Sequence, residues 1–147
     1  MEYVVIGGMA EVLHGGMRPT YDVDVCYRRT PENLHRLEAA LGEVHPALRG
    51  APPGLPFRAD ARTLEAGNNF TFDTDIGPLD LLGWVEPIGD FDRVNGESVD
   101  LRFGESTIRV LSVDGLIRIK QHVNRPKDQA SLAELLAIKR EREGGAA

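Results

Sequence analysis

Two aspartates form the first group of residues in this sequence that could carry chemistry. Asp22 and Asp24 lie two residues apart in the run Arg-Pro-Thr-Tyr-Asp-Val-Asp that begins at Arg18. Alternate residues of a β-strand project from the same face, so both carboxylates can reach shared divalent cations, and Mg²⁺ prefers such oxygen ligands. The pair could hold metal ions against a nucleoside triphosphate. A chain with 23 acidic residues also contains Asp-x-Asp by chance, so a solvated strand face is the alternative.

Asp80 is a third acidic candidate, because it lies inside the apolar run Pro-Leu-Asp-Leu-Leu of residues 78–82. An ionised carboxylate is costly to bury without a partner, and a metal ion would be such a partner. Strand alternation places Asp80 on one face with Leu82 and places Leu79 and Leu81 on the other, which leaves an exposed edge position as the alternative. Three converging carboxylates are a more specific signal than any two of them.

A glycine pair ends the first apolar run of the chain. Gly7 and Gly8 follow a strand predicted for residues 3–6 and precede a helix predicted for residues 9–14. Glycine lets the backbone approach a ligand closely, and the first N–H groups of a helix attract phosphate oxygens. The pair is a candidate triphosphate cradle, with a tight turn and no ligand as the alternative. Neither Gly-x-Gly-x-x-Gly nor a P-loop is present, which disfavours dinucleotide binding and P-loop hydrolysis.

Two charged residues near the C-terminus are predicted on apolar helix faces. Lys120 falls within an apolar helical stripe, where a lysine either binds an anion or extends its ammonium group to water. Asp128 shares a face with Leu132 and Leu135. Its place in the first turn of a helix favours a capping role over a catalytic one.

Three more polar residues lie between the glycine pair and the first aspartates. Arg18 and Thr20 are close enough to the carboxylates to touch a ligand, and Arg18 is the better candidate because a guanidinium binds phosphate strongly. An ion pair that merely orients one of the aspartates is the alternative for Arg18. His14 ends the first predicted helix, where we expect a packed or capping residue rather than a base.

These residues need a scaffold, and the sequence predicts one domain over residues 1–143 with a disordered tail at 144–147. Thr30 and Pro31 predict the start of a helix that turns Leu34, Leu37 and Leu41 inward. The segment 45–56 is rich in Pro and Gly, which predicts an exposed loop. A hairpin is expected to turn at residues 76–78. Further helices are predicted at 59–66, 113–123 and 127–142, and strands at 22–27, 69–74, 79–85, 97–101 and 107–111.

Composition narrows the classes of function. The formal net charge of −6 argues against nonspecific nucleic-acid binding, although a local basic groove stays compatible with it. Cys26 is the single cysteine, which excludes an internal disulfide and a cysteine-rich zinc site and favours a small strand residue. No run approaches the ~20 apolar residues that cross a bilayer, and the first residues lack a signal-peptide pattern, so we expect a cytoplasmic protein without membrane contact.

Taken in order, these motifs resemble the AbiEii-type nucleotidyltransferases of the DNA polymerase β-like superfamily. The resemblance covers nearly the whole chain, and it implies an α+β nucleotidyltransferase fold with helices packed on a mixed sheet and two C-terminal helices. The matching residues are Gly-Gly-Met-Ala at 7–10, His-Gly at 14–15, Arg-x-Thr-x-Asp-x-Asp at 18–24, Leu-Asp-Leu-Leu at 79–82, Lys120 and Arg-Pro-Lys-Asp at 125–128.

The resemblance also implies a role for each matching residue. Asp22 and Asp24 would coordinate two Mg²⁺ ions, or Mn²⁺ in their place, together with the triphosphate. Asp80 would complete the metal site and help to deprotonate an attacking hydroxyl. Lys120 would contact the phosphates and join the aspartates as a catalytic residue. The expected nucleotide-binding residues are Gly7, Gly8, Arg18, Thr20, Lys120 and Asp128.

The implied reaction is in-line transfer of a nucleoside monophosphate from an NTP to an acceptor hydroxyl, with release of pyrophosphate. RNA, in particular the acceptor end of tRNA, is the first expected acceptor, as for toxin relatives, and a cognate antitoxin would then be a partner. A cationic small molecule such as an aminoglycoside is the second, because an acidic pocket would suit it. A decayed, non-catalytic transferase that binds another protein is the third. A basic groove beside Asp22 built from Arg118, Arg125, Lys127 and Lys139 would favour RNA.

One departure from the family concerns the start of the chain. Relatives carry a helix ahead of the first strand, whereas here the strand predicted at residues 3–6 begins almost at the first residue. An apolar surface left uncovered at this end would favour a homodimer or a bound partner protein.

Overall fold

A mixed β-sheet forms the centre of the protein. The computed structural model describes residues 1–52 and 57–145, and within this part of the chain the sheet has seven strands. They are β1 (Tyr3–Ile6), β2 (Val23–Tyr27), β3 (Ala47–Leu48), β4 (Asn69–Thr74), β5 (Gly77–Leu82), β8 (Ser98–Phe103) and β9 (Ser106–Leu111). Two short strands, β6 (Trp84–Val85) and β7 (Gly89–Asp90), pair with each other as a separate ribbon.

Six α-helices accompany the sheet in the described ranges. They are α1 (Gly7–Leu13), α2 (Pro31–Gly42), α3 (Ala61–Ala66), α4 (Phe91–Gly96), α5 (Val113–Val123) and α6 (Gln129–Gly145), and a 3-10 turn (Pro126–Asp128) leads into α6. The α+β class and the mixed sheet that the sequence predicts are therefore confirmed.

The strand order brings distant parts of the sequence together. Across the sheet it is β3-β4-β5-β2-β1-β9-β8. β2 pairs with β5 in parallel and β1 pairs with β9 in parallel, while the other neighbours are antiparallel. The two strands that carry the predicted aspartates, β2 and β5, are therefore direct neighbours.

The hydrophobic core determines which way these aspartates project. Val25 of β2 and Leu81 of β5 are buried, and together with Leu37 of α2 they line one apolar cavity. Successive side chains of a strand point to opposite faces. Asp24 and Asp80 each precede one of these buried residues, so both carboxylates project from the face opposite α2.

Helix caps appear where the sequence predicts them. The Thr30 hydroxyl accepts a hydrogen bond from the Asn33 N–H at 3.4 Å, and Pro31 is the first residue of α2. The Ser112 hydroxyl caps α5 in the same way, accepting from the Gly115 N–H at 3.1 Å. Each such cap contributes about 1 kcal/mol to stability.

Several boundaries differ from the prediction. α1 begins at Gly7 rather than at residue 9, so the glycine pair forms its first turn. β2 begins at Val23, one residue after Asp22. The β4–β5 turn lies at residues 75–76 rather than 76–78, and β5 ends at Leu82, where Gly83 donates its N–H back to the Asn68 carbonyl.

Other differences lie in the loops and at the C-terminus. The predicted loop at residues 45–56 contains β3, which pairs with β4, and residues 53–56 of that loop lie outside the described residues. α4 was not predicted; the Asp90 side chain caps it, and Phe91 and Val94 are buried. α6 continues through Gly145, within the tail predicted to be disordered, and residues 146–147 lie outside the described part.

Among the residues that the structure describes, no helix combines the length and the apolar composition that a membrane crossing requires.

Candidate active site

Asp24 and Asp80 form the centre of the candidate site. In the parallel β2–β5 pair, Asp24 lies directly opposite Asp80. Neighbouring strands are about 4.8 Å apart, and directly paired residues project to the same side, so the two carboxylates face the same small volume. Both residues are half-buried. The structure therefore brings together two of the three predicted aspartates.

The two carboxylates of this pair repel each other at close range. Burial, reinforced by the negative charges of Asp80 and then Asp22, raises the pKa of Asp24 to about 6. The Oδ1 atoms of Asp24 and Asp80 are both buried, and neither has a hydrogen-bond partner among the described residues. Buried carboxylate oxygens of this kind normally have partners. The site is therefore one at which a bound cation would be stabilised.

Arg49 is the cation that the structure places beside this pair, and it was not among the predicted site residues. Its Nη2 lies 3.1 Å from the Asp80 Oδ1 as an ion pair, without hydrogen-bond geometry. Its Nε lies 3.3 Å from the Asp73 Oδ1. Arg49 follows β3, so its position depends on the pairing of a two-residue strand that no local pattern predicts.

The third predicted aspartate and its neighbours lie at the margin of the site. Asp22 is exposed and precedes β2, and its charge is close enough to contribute to the raised pKa of Asp24. Arg18 is exposed and makes no salt bridge within residues 1–52 and 57–145, so the predicted alternative of an ion pair with the aspartates is not seen. The Thr20 hydroxyl donates a long hydrogen bond of 3.4 Å to the Asp22 carbonyl.

The glycine pair packs directly against these residues. Gly7 has a φ of +68°, and a Cβ at this position would overlap the Asp24 Oδ2 and lie 3.1 Å from the Asp24 Cγ. A Cβ on Gly8 would lie 2.8 Å from the Thr20 Oγ1. No described side chain caps the N-terminus of α1. The absence of side chains at the two glycines therefore lets the start of α1 pack against Asp24 and Thr20, which a larger residue would displace.

Lys120 and Asp128 form a separate ion-paired cluster. The Lys120 ammonium lies 3.1 Å from the Asp128 Oδ1 and 3.7 Å from the Glu11 Oε1. Arg125 donates to the Asp128 Oδ2 at 2.7 Å. Among the described residues, Lys120 makes no salt bridge to Asp22, Asp24 or Asp80. The structure does not join Lys120 or Asp128 to the aspartate pair by direct contact.

Glu11 connects this cluster to α1, the helix that begins with the glycine pair. It lies on α1 four residues after Gly7 and forms an ion pair with Lys120. Glu11 is only 4% exposed, and burial raises its pKa although the Lys120 charge opposes the effect. Glu11 was not among the predicted site residues, although it stands between the apolar residues Ala10 and Val12, a setting of the kind that identified Asp80.

Asp128 is held ionised by its neighbours. It is 4% exposed, and hydrogen bonds from Arg125 and then Lys120 lower its pKa to about 2. It lies in the 3-10 turn ahead of α6. Its observed contacts are ion pairs with Lys120 of α5 and with Arg125, which precedes the 3-10 turn.

His14 has the packed position that the sequence predicts. It is 5% exposed, and its Nε2 lies 2.8 Å from the Leu111 carbonyl, which makes Nε2 the protonated nitrogen. Its Nδ1 then accepts from Arg142 at 3.2 Å. Burial lowers the pKa of His14, so the ring is neutral and links α1 to β9 and α6.

Comparison with known proteins does not assign this chain to a family. No family model matches this chain, and no curated protein matches it significantly. Within the part of the chain that the structure describes, no three His, Cys, Asp or Glu side chains are arranged as a preformed metal site. The paired carboxylates of β2 and β5, with Asp22 at their margin, are thus the feature on which a function can be based.

Proposed function

We propose that the protein is a metal-dependent nucleotidyltransferase, which transfers a nucleoside monophosphate from an NTP to an acceptor hydroxyl. The observation that carries this proposal is the Asp24–Asp80 pair, with its two buried oxygens that lack hydrogen-bond partners. The nucleotidyltransferase fold and the AbiEii-type resemblance belong to the same proposal. The α+β mixed sheet is compatible with both.

The donor set suits Mg²⁺ or Mn²⁺. Asp24 and Asp80 supply hard carboxylate oxygens on adjacent strands, and the exposed Asp22 can add a third carboxylate from the chain that enters β2. A cation would also supply a partner for the buried Asp24 Oδ1 and a second charged partner, beside Arg49, for the Asp80 Oδ1. When bound, such ions neutralise charge on the triphosphate and on the leaving pyrophosphate.

The residues of the chain have separate tasks in this proposal. The acceptor oxygen attacks the α-phosphorus in line, its bond to phosphorus forms as the bond to the β-phosphate oxygen breaks, and pyrophosphate leaves. Asp80 accepts the proton of the attacking hydroxyl. Asp24 would hold the divalent ion that neutralises the reacting phosphate, and the absence of a Cβ at Gly7 lets the start of α1 pack against the Asp24 carboxylate. Arg18 is exposed on the neighbouring loop and is able to approach a phosphate oxygen.

The charges around the site bear on the acceptor. Three residues of the basic groove that would favour RNA are in ion pairs: Arg118 with Glu97, Arg125 with Asp128 and Lys139 with Asp114. Pairing of this kind reduces the positive potential available to a phosphate backbone.

A cationic small molecule is therefore a second candidate acceptor beside RNA. Register places Asp73 and Asp80 on the same face of the β4–β5 hairpin, since side chains two positions apart along the paired strands share a face. Together with Asp22 and Asp24, they make this part of the surface acidic, which suits a positively charged acceptor.

Label transfer tests the proposed activity. The protein is incubated with each α-phosphate-labelled NTP, Mg²⁺ and, in separate reactions, total tRNA, aminoglycosides or proteins. Asp24→Asn and Asp80→Asn are expected to lower transfer on the order of a hundredfold or more, because each removes a carboxylate from the reacting centre. Asp75→Asn is the matched control, since Asp75 is an exposed carboxylate in the turn of the same hairpin and pairs with His45 instead.

The results separate the candidate functions. Labelled tRNA supports the RNA acceptor, and a labelled aminoglycoside supports the cationic small molecule. Transfer that survives both Asp24→Asn and Asp80→Asn at the wild-type level would show that the carboxylate pair is not the active site. A chain that transfers no label to any acceptor, but folds normally by circular dichroism, would favour the non-catalytic module.

A further inference from the structure

Arg49 is held against the sheet by contacts that do not involve the aspartate pair. Its backbone N–H donates to the Thr71 carbonyl at 3.0 Å, and its Nη2 donates to the Phe72 carbonyl at 2.9 Å. Its Nε lies 3.3 Å from the Asp73 Oδ1. All three partners belong to β4, so the guanidinium stays near the site whatever occupies the aspartates.

The same guanidinium also reaches the candidate active site. Its Nη2 lies 3.1 Å from the Asp80 Oδ1, an oxygen that is itself buried and has no hydrogen-bond partner among the described residues. Thr71 of β4 lies directly opposite Asp80 of β5 in the sheet, which explains why a residue anchored at Thr71 contacts Asp80. Asp80 therefore has the second carboxylate on one side and a tethered cation on the other.

We propose that Arg49 is a positioning residue that acts as a built-in counter-cation, holding Asp80 and competing with a divalent ion for its Oδ1. This inference rests on the proposed function, because it takes the Asp24–Asp80 pair as the ion site. In the ion-free protein Arg49 offsets the repulsion between the two carboxylates. When a divalent ion binds, the guanidinium leaves Asp80 and remains on Asp73 and the Phe72 carbonyl.

Competition between Arg49 and a divalent ion predicts the direction in which ion affinity changes when Arg49 is replaced. A positive charge beside an ion site weakens the binding of a second positive charge, so removing Arg49 strengthens binding of a divalent ion. The opposite sign is expected if Arg49 serves only to hold Asp80 in the right orientation, because the loss of an orienting contact weakens binding. Ion affinity thus distinguishes competition from a purely structural role.

Calorimetric titration with Mn²⁺ alone, without nucleotide, tests the inference on the full chain. Arg49→Gln is expected to tighten Mn²⁺ binding about tenfold, the order expected for loss of one nearby charge in a solvent-accessible site. Arg49→Lys retains the positive charge and is expected to bind Mn²⁺ close to the wild-type affinity. Arg109→Gln is the matched control, because Arg109 also makes three side-chain contacts, to Asn95 and Asp100, on the far side of the sheet.

The Mn²⁺ affinities of these variants separate the inference about Arg49 from the proposed ion site. Arg49→Gln that binds Mn²⁺ at or below the wild-type affinity overturns the inference, and so does Arg49→Lys that tightens binding as much as Arg49→Gln. If Asp24→Asn abolishes Mn²⁺ binding while Arg49→Gln changes nothing, the inference fails alone and the proposed ion site stands. If the wild-type protein binds no Mn²⁺, or if binding survives Asp24→Asn, the ion site fails and the inference fails with it.

Discussion

Replacing Gly7 with alanine tests the link between the glycine turn and the carboxylate pair. Gly7 has a φ of +68°, a conformation that costs a residue with a Cβ about 1–2 kcal/mol. The added Cβ would also overlap the Asp24 Oδ2, and forced overlap in a packed site costs about 1–3 kcal/mol. The two effects together predict that Gly7→Ala lowers the free energy of unfolding by roughly 2–5 kcal/mol.

Gly104→Ala is the matched control for this experiment. Gly104 has a φ of +64°, almost the same as that of Gly7, but a Cβ there would meet no atom within 4 Å. The control should therefore lose only the conformational part, about 1–2 kcal/mol. The difference between the two variants isolates the contact with Asp24.

Urea unfolding followed by circular dichroism measures both losses, provided that the slope with denaturant is unchanged. Combining Gly7→Ala with Asp24→Ala removes the overlapping carboxylate oxygen, so the double variant should recover about 1–3 kcal/mol relative to the sum of the single changes. Equal losses for Gly7→Ala and Gly104→Ala, with no coupling to Asp24, would refute the close packing described above.

Three further predictions concern titrating groups. The pKa of Asp24 is raised from 3.8 to about 6, so the folded protein binds more protons than the unfolded chain between these pH values and loses stability as pH rises through them. In urea titrations, Asp24→Asn should therefore be more stable than the wild type by about 1–2 kcal/mol at pH 8, and this gain should vanish near pH 4. A gain in stability that does not change with pH would contradict the raised pKa. The pKa of Asp128 is lowered to about 2, so the stability that its ionised form contributes is present above pH 4 and is lost as pH falls towards 2. Asp128→Asn should lower the free energy of unfolding by about 1–3 kcal/mol at pH 7 and by progressively less below pH 4. An equal loss of stability at pH 2 would argue against the ion pairs of Asp128. Burial raises the pKa of the Cys26 thiol to about 12, so a thiol reagent should fail to label the native protein at pH 8 but should label it fully in urea. Rapid labelling of the native protein would show that β2 is accessible to the reagent.

Local patterns predicted the elements that carry a strong local signal. The strand at Tyr3–Ile6, the helix at Val113–Val123 and the capped start of α2 at Pro31 all agree with the structure. In each case periodicity or capping chemistry acts over a few adjacent residues, which is the information that a single sequence contains. His14, expected to be a packed or capping residue at the end of the first helix, is buried.

The candidate site was only partly predictable, because its geometry depends on pairing between distant segments. Alternation indicated that Asp24 and Asp80 each face away from apolar neighbours, but only the parallel register of β2 and β5 places them opposite each other. Arg49 reaches Asp80 through β3, a strand of two residues whose formation depends on β4. The ion pair of Glu11 on α1 with Lys120 on α5 likewise joins segments that are distant in the sequence.

The alignment of Asp24 with Asp80 is protected by the same leucines that fill the core. A slip of one residue between β2 and β5 would turn Asp80 towards α2 and move Leu81, now 1% exposed, out to solvent. Such a misregistered chain would lose a core side chain and bury a charge at once, and both changes oppose folding. Molecules that fold stably are therefore also molecules whose two carboxylates are aligned, so a population of this protein should contain few folded but misaligned copies.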